Sequence, residues 1–160
     1  MKKQNPAHSE ETVKRARMLI DERLHGEALT WLTESLQTEP NQRLVWHFLF
    51  ETLAPKGDIS PILNVIQDVI VFIEDPEDTL LVMAQHMQLR GFHDEAVEVF
   101  NTILHHQSSS RKTFEELLLH QHLNGFDDDT AFAAYYEFNR RFAAPITAAS
   151  IPAVTEKTVD

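Results

Sequence analysis

Residues 80–104 read LLVMAQHMQLRGFHDEAVEVFNTIL and contain two apolar stripes of helical period on either side of one glycine. The first stripe carries the small residue Ala84 at its centre, where a second helix can approach closely. Gly91 interrupts the pattern, and glycine is the residue that most readily takes the left-handed conformation that ends a helix. The second stripe begins at Ala96, after two acidic residues that favour a helix start. The block therefore predicts a helix, a tight turn and a second helix packed against the first.

Three of the four glycines recur at a fixed interval, because Gly57, Gly91 and Gly125 are each 34 residues apart. A period of this length is typical of stacked helix pairs, in which each unit covers the apolar face of the next. Ala28 and Ala96 lie two such intervals apart and keep the same register across the middle of the chain. The interval defines four repeat units, which begin near Ser9, Arg43, Glu77 and Arg111.

The third unit resembles the tetratricopeptide repeat, a family of antiparallel helix pairs. It has the small residue in the first helix, the glycine at the turn, and then Ala96-x-x-x-Phe100 in the second helix. The second unit supplies the family's tryptophan in Trp46-x-x-Leu49. The resemblance covers residues 9–142 and implies an all-α fold, with about four antiparallel helix pairs stacked in a short right-handed solenoid.

Several positions depart from the family's pattern. Arg23 stands in place of the turn glycine in the first unit. Phe50 and Leu118 are large side chains where the family prefers a small one. In the fourth unit, Thr130 and Ala134 replace the alanine and phenylalanine of the second helix. These departures predict helix pairs that cross at irregular angles.

The sequence predicts three regions along the chain: a disordered N-terminus over residues 1–8, the repeat domain over 9–142, and a linker or disordered tail over 143–160. The last region is rich in small residues and contains Pro145 and Pro152, which stop helices and favour extended backbone before them. Such a tail is compatible with an isolated repeat domain or with the front of a longer protein.

Composition excludes several classes of function. The formal net charge of −11 argues against nucleic-acid binding, which needs a basic surface to replace the counterions of the phosphates. The chain has no cysteine, so disulfides, thiol catalysis and cysteine metal sites are excluded. The longest apolar run, Val69–Ile73, is too short to span a membrane, and no signal-peptide pattern is present at the N-terminus. We expect a cytoplasmic protein that contacts neither nucleic acid nor membrane.

No motif for catalysis or cofactor binding is present. The sequence has no phosphate-binding loop, no nucleophile elbow and no dinucleotide fingerprint, so we expect neither an enzyme nor a bound cofactor. The run Asp127–Asp129 lacks the alternating ligands of a calcium loop, and its carboxylates are better explained as the start of a helix.

Nine histidines raise the question of a metal site. His86 and His120 share one repeat position, and His25 and His93 share another. No group of three histidines has the spacing of convergent zinc ligands, so these side chains are expected to pack or to face solvent, and no metal is expected.

The family resemblance also implies a binding surface. In tetratricopeptide repeats, fixed positions on the first helix of each unit face a concave groove that holds a segment of a partner protein. Carried over by register, the partner-binding groove is lined by Arg17, Leu44, His47, Glu51, Leu81, Gln85, Gln88, Glu115, Leu119 and His122. Members that grip the C-terminal carboxylate of a chaperone use several basic groove residues. Only Arg17 is basic at the corresponding positions here, so no such clamp is expected.

Three functions remain open. The first is a non-enzymatic adaptor, scaffold or chaperone that binds another protein in the groove, similar in size and class to the small tetratricopeptide chaperones of bacterial secretion systems. In the second, residues 136–146 resemble the junction between repeats and catalytic domain in O-linked N-acetylglucosamine transferases, which implies a substrate-selecting accessory domain of a glycosyltransferase. The aromatic residues Tyr135, Tyr136, Phe138 and Phe142 are expected to pack the last helix onto the domain. The third function, self-association through Tyr135, Tyr136 and Phe138, applies if this aromatic face is left uncovered.

Overall fold

The computed structural model describes residues 6–107, 109–123, 125 and 128–143. These residues form eight α-helices and no strand, which confirms the predicted all-α class. The helices are α1 (Pro6–Asp21), α2 (His25–Thr38), α3 (Arg43–Leu53), α4 (Ser60–Val69), α5 (Pro76–Leu89), α6 (His93–His106), α7 (Arg111–Leu123) and α8 (Asp128–Phe138). Short 3₁₀ turns, Ala54–Lys56 and Ile70–Phe72, follow α3 and α4, and a π turn, Asn139–Ala143, follows α8.

The same left-handed backbone conformation occurs between the two helices of every predicted pair. The φ angles are 63° at Arg23, 75° at Gly57, 87° at Gly91 and 76° at Gly125. The left-handed cap predicted at Gly91 is confirmed. Arg23, which replaces glycine in the first unit, takes this conformation although it is sterically unfavourable for a residue with a Cβ atom.

Two of these turns have identical hydrogen bonding. After α1, Arg23 N–H donates to Ile20 O (2.9 Å) and Leu24 N–H to Leu19 O (2.8 Å). After α5, the Gly91 and Phe92 amides make the equivalent bonds to the residues three and five positions earlier, at 3.1 and 2.9 Å. This is the Schellman motif, which satisfies the last carbonyls of a helix and requires the left-handed residue. The left-handed backbone conformation recurs at all four turns, whereas glycine occurs at only three of them.

The chain divides after Thr113 into two compact bodies. In the N-terminal body, up to Thr113, α1 packs against α2 and α3, α5 packs against α3 and α6, and α2 packs against α4. Trp46, Phe50 and Phe100 are fully buried in its core. The indole N–H of Trp46 is satisfied, because it donates to the carbonyl of Pro40 at 2.7 Å.

The size of one side chain distinguishes the helix pairs of this body. Ala16 in α1 and Ala84 in α5 are fully buried, and their helices lie close to α2 and α6. Phe50 occupies the equivalent position in α3, and α3 approaches α4 less closely. The Phe50 ring instead makes an edge contact with Phe92, with the ring centroids 5.9 Å apart. A benzyl side chain needs space that a methyl group does not, so this pair cannot close in the same way.

The C-terminal body is described from Phe114 to Ala143. Its aromatic residues divide into two groups, of which the first packs inward. Phe138 and Phe142 contact Phe114, with centroid distances of 5.8 Å for both. These two rings therefore pack the end of α8 and the turn after it against Phe114 of α7. Tyr135 and Tyr136 are exposed, so the expectation that they pack was wrong.

The ends of the chain differ in part from the predicted regions. The helix α1 begins at Pro6, inside the segment predicted as disordered over residues 1–8, and residues 1–5 lie outside the described part. The π turn extends to Ala143, and the rest of the predicted tail, 144–160, also lies outside it. Among the described helices, none combines the length and apolar character needed to cross a membrane.

Candidate binding surface and histidine cluster

The predicted groove residues lie on α1, α3, α5 and α7, and they differ in exposure. The exposed ones are Arg17, Leu44, Glu115, Leu119 and His122. The half-buried ones are His47, Glu51, Gln85 and Gln88. The boundary after Thr113 separates the three exposed residues on α7, Glu115, Leu119 and His122, from the other predicted groove residues.

Leu81 differs from the other predicted groove residues, because its side chain is only 2% exposed. It lies at the wall of a cavity of about 330 Å³, beside Val82 and Asp78. The helix α5 packs against both α3 and α6, which buries two of its faces. One residue on, the helix has rotated by about 100°, and Val82 is 39% exposed. Val82 is thus the accessible apolar residue at this level of α5.

Predicted groove positions on the first two units converge on one open cavity of about 340 Å³. Arg17 and Leu44, both predicted groove residues, belong to its wall. The cavity is lined by Glu10, Val13, Lys14, Arg17, Met18, Asp21 and Leu44. Met18 and Leu44 are 56% and 43% exposed, so the cavity presents apolar surface among charges of both signs.

Side-chain contacts between neighbouring first helices hold several of these residues in place. The guanidinium of Arg17 lies over the ring of Phe48, 5.3 Å from its centroid, which joins α1 to α3. Arg43 pairs with Asp78 at 3.0 Å, and Arg90 pairs with Glu51 at 2.9 Å. The first ion pair joins α3 to α5, and the second joins α3 to Arg90, the residue that follows α5. Since the paired side chains are 34% to 54% exposed, the ion pairs orient side chains more than they stabilise the fold.

His47, Glu51 and His86 form a cluster between α3 and α5. The nearest ligand atoms of the three side chains all lie within 4.8 Å of one another, and all three residues are half-buried. The rings of His47 and His86 meet edge to face, with centroids 4.8 Å apart. The Nδ1 atom of His47 is buried and has no hydrogen-bonding partner among the described residues.

This cluster was not predicted from the sequence. The predicted relations were between histidines only, whereas the relevant pair is His47 and Glu51, four residues apart and therefore on one face of α3. The third member, His86, comes from another helix, and no local pattern connects it to the pair. A search for any two ligand-type residues at this spacing would have found the first half of the cluster.

The remaining histidines, the acidic run and Ser110 occupy positions that their roles in the helices explain. His25 and His93 are exposed and begin α2 and α6, and His120 is buried in α7. The helix α8 begins at Asp128, as predicted for the acidic run, whose first member lies outside the described residues. Ser110 accepts a hydrogen bond from the Thr113 amide (3.2 Å), the geometry of an N-cap for α7.

A second, larger cavity of about 660 Å³ lies on α4 and α6. It is lined by Gln67, Ile70, Asp94, Val97, Glu98, Asn101, Thr102, His105 and His106. A hydrogen bond from Gln67 to Glu98 (3.1 Å) crosses this surface. Its lining combines the apolar side chains of Ile70 and Val97 with polar and charged side chains.

Among the described carboxyl groups, Glu137 near the end of α8 has the most strongly lowered pKa. Hydrogen bonds from Arg140, and then from Arg141, lower the pKa of Glu137 from 4.5 to about 2. Glu137 Oε1 accepts from Arg140 at 2.7 Å. These residues belong to the stretch 136–146 that resembles the glycosyltransferase junction, of which 144–146 lie outside the described residues. In the described part, the charged groups pair with one another.

Comparison with known proteins provides no family for the chain. The sequence has no significant match among protein-family models or curated proteins.

Proposed function

We propose that the chain is a cytoplasmic, non-enzymatic protein-interaction module of the tetratricopeptide type, which binds a segment of another protein along α1, α3 and α5. The observation that carries the proposal is the cavity between α1 and α3. Its wall includes residues that the repeat register places at groove positions, among them Arg17 and Leu44. The repeat register selected Arg17 and Leu44 from the sequence as groove residues, and both belong to the wall of this one cavity.

The arrangement of helices supports the repeat architecture within this proposal. Left-handed residues recur at intervals of 34 from Arg23 to Gly125. The first helices of successive units are neighbours, since α1 packs on α3 and α3 on α5, and the second helices α2 and α4 also pack together. These are the neighbour relations that a stack of helix pairs requires.

The chemistry of the cavity favours a particular kind of segment. Met18 and Leu44 provide apolar anchor points, and charges of both signs surround them. An amphipathic helix or an extended segment with spaced apolar side chains could bury these anchors while its polar groups pair with Lys14, Arg17 or Asp21. The chain as a whole carries a net charge of −11, which would favour encounters with a basic partner.

Affinity capture with matched surface variants tests the proposal. The groove variant is Met18→Glu with Leu44→Glu, and the control is Val71→Glu with Phe72→Glu, which changes two exposed apolar residues outside the groove. We expect a client protein to be held by the wild type and by the control and lost by the groove variant. The purified client should then show the same order of affinities in a direct titration.

Equal retention by all three proteins would contradict binding at the α1–α3 cavity. Loss in the control variant alone would place the interaction near the 3₁₀ turn Ile70–Phe72. Leu81 is unsuitable for such a test, because a charge at this buried position would unfold the domain whether or not the groove binds anything.

Self-association is a second candidate, and one observation favours it. The α8 residues Phe132, Tyr135 and Tyr136 are all exposed, and the rings of Phe132 and Tyr136 stack with centroids 6.5 Å apart. Phe138 was also predicted from the sequence as part of this interface. Its ring contacts Phe114 and Phe142, so it is less accessible to a second copy of the chain. Sedimentation of the wild type and of Phe132→Ser with Tyr136→Ser would decide: a dimer lost in the variant supports this interface, and a monomeric wild type excludes it.

A further inference from the structure

We propose that His47, Glu51 and His86 form a binding site for a divalent transition-metal ion of the Zn²⁺ type, independent of the protein-binding function proposed above. Two imidazoles and one carboxylate would provide three ligands. The remaining coordination position would be available to water or to a side chain of another molecule.

The backbone already brings the ligands together. His47 and Glu51 are one helical turn apart on α3, and His86 projects from α5, which packs directly against α3. In a tetrahedral zinc site with bond lengths of about 2.0–2.2 Å, the donor atoms are roughly 3.3 Å apart. The donors in this cluster lie within 4.8 Å of one another, so they would have to move closer together, through changes in side-chain torsion angles, when an ion binds.

A second observation points to a missing partner at this position. His47 Nδ1 is buried without a hydrogen bond among the described residues. An unsatisfied buried polar atom is costly, and an ion is one of the partners that can account for it. A metal bound through Nδ1 would use its lone pair and remove this cost.

The type of donor selects the type of ion. Imidazole nitrogen with one carboxylate oxygen suits Zn²⁺, Co²⁺, Ni²⁺ or Cu²⁺. Ca²⁺ and Mg²⁺ prefer ligand sets made wholly of oxygen and would bind poorly at a site with two nitrogen donors. The half-buried position of all three side chains limits their loss of conformational entropy on binding.

Arg90 opposes the ion and provides a sensitive control. Its guanidinium donates to Glu51 Oε2 at 2.9 Å, so a metal must compete with a positive charge for this carboxylate. Removing the Arg90 side chain would free Glu51 and eliminate the repulsion. We therefore predict that substitution of Arg90 strengthens metal binding, whereas substitution of any of the three ligands weakens it.

The test is calorimetric titration of the full chain with Zn²⁺, accompanied by absorption spectra with Co²⁺, whose visible bands report the ligand geometry. We expect a single strong site in the wild type. His86→Ala and Glu51→Gln should each weaken binding by about tenfold or more, and Arg90→Ala should strengthen it.

Other histidines can bind metal adventitiously, so the control variant carries His105→Ala and His106→Ala, an exposed adjacent pair on α6. It should bind as the wild type does. Thermal unfolding of each variant without metal verifies that it is folded. Absence of strong binding in the wild type, or equal affinity in wild type and His86→Ala, would overturn the proposal. Loss of binding only in the His105/His106 variant would also overturn it.

Discussion

At the scale of single residues, backbone strain is concentrated at Arg23. Its φ of 63° costs roughly 1–2 kcal/mol for a residue with a Cβ atom, whereas glycine adopts it freely. Arg23→Gly should therefore stabilise the protein by about 0.5–1 kcal/mol, after allowance for the greater freedom of glycine in the unfolded chain. Urea denaturation would measure the change. A destabilised Arg23→Gly variant would mean that contacts of the arginine side chain outweigh the strain.

The converse substitution is predicted at Gly91. A Cβ atom placed there would meet no other atom within 4 Å, so the cost of Gly91→Ala is confined to the backbone, whose φ is 87°. We expect a loss of stability of about 1 kcal/mol. Gly26→Ala is the matched control, since Gly26 lies in α2 with equally open surroundings and without a positive φ. Alanine there should be neutral or stabilising, and equal effects of the two substitutions would contradict the argument.

The pH dependence predicted at the residue scale concerns Glu137. Hydrogen bonds from Arg140 and Arg141 lower its pKa from 4.5 to about 2 in the folded protein. A lowered folded-state pKa stabilises the protein above the unfolded value, and this contribution disappears as the pH falls from 4.5 through about 2. Carboxyl NMR of Glu137 should show its midpoint near 2. A midpoint close to the ordinary value would show that the arginines do not hold the carboxylate in solution.

At the scale of secondary-structure elements, α5 has the best-defined start. Asp75 accepts a hydrogen bond from the Asp78 amide at 3.0 Å, and Pro76 occupies the first helical turn. Asp75→Ala should destabilise the protein by about 1 kcal/mol, while Asp75→Asn, which can cap equally well, should have little effect. Thermal or urea unfolding of both variants measures the difference. A similar loss in both would assign the effect to the charge of Asp75 instead of the cap.

The extent to which sequence predicts these elements depends on how local their causes are. The turn at Gly91 follows from the chemistry of one residue and its neighbours, and it was predicted correctly. The burial of Leu81 was not predicted, because it depends on how α5 packs between α3 and α6. His86 joins His47 only through packing between helices, and no local pattern contains that contact.

At the scale of the whole molecule, the two bodies carry different intrinsic chromophores. Both tryptophans, Trp31 and Trp46, lie before the boundary at Thr113, and both tyrosines, Tyr135 and Tyr136, lie after it. Trp46 is fully buried in its core, whereas α8 exposes both tyrosines. We expect the tyrosine signal to change at lower urea concentration than tryptophan fluorescence, because the shorter body, which begins at Phe114, should open first. Coincident transitions would show that the two bodies unfold as one.

The conformation of Arg23 also has a consequence for proteolysis. Arg23 is an exposed arginine in a turn, so it presents to trypsin-like proteases a basic residue in a loop that is already sharply bent. Cleavage there would separate α1 from the rest of the chain. Because Val13 and Ala16 of α1 are buried and α1 packs against α2 and α3, the two fragments would remain associated as a nicked protein. A glycine at this position would relieve the backbone strain of the turn and would also remove the cleavage site.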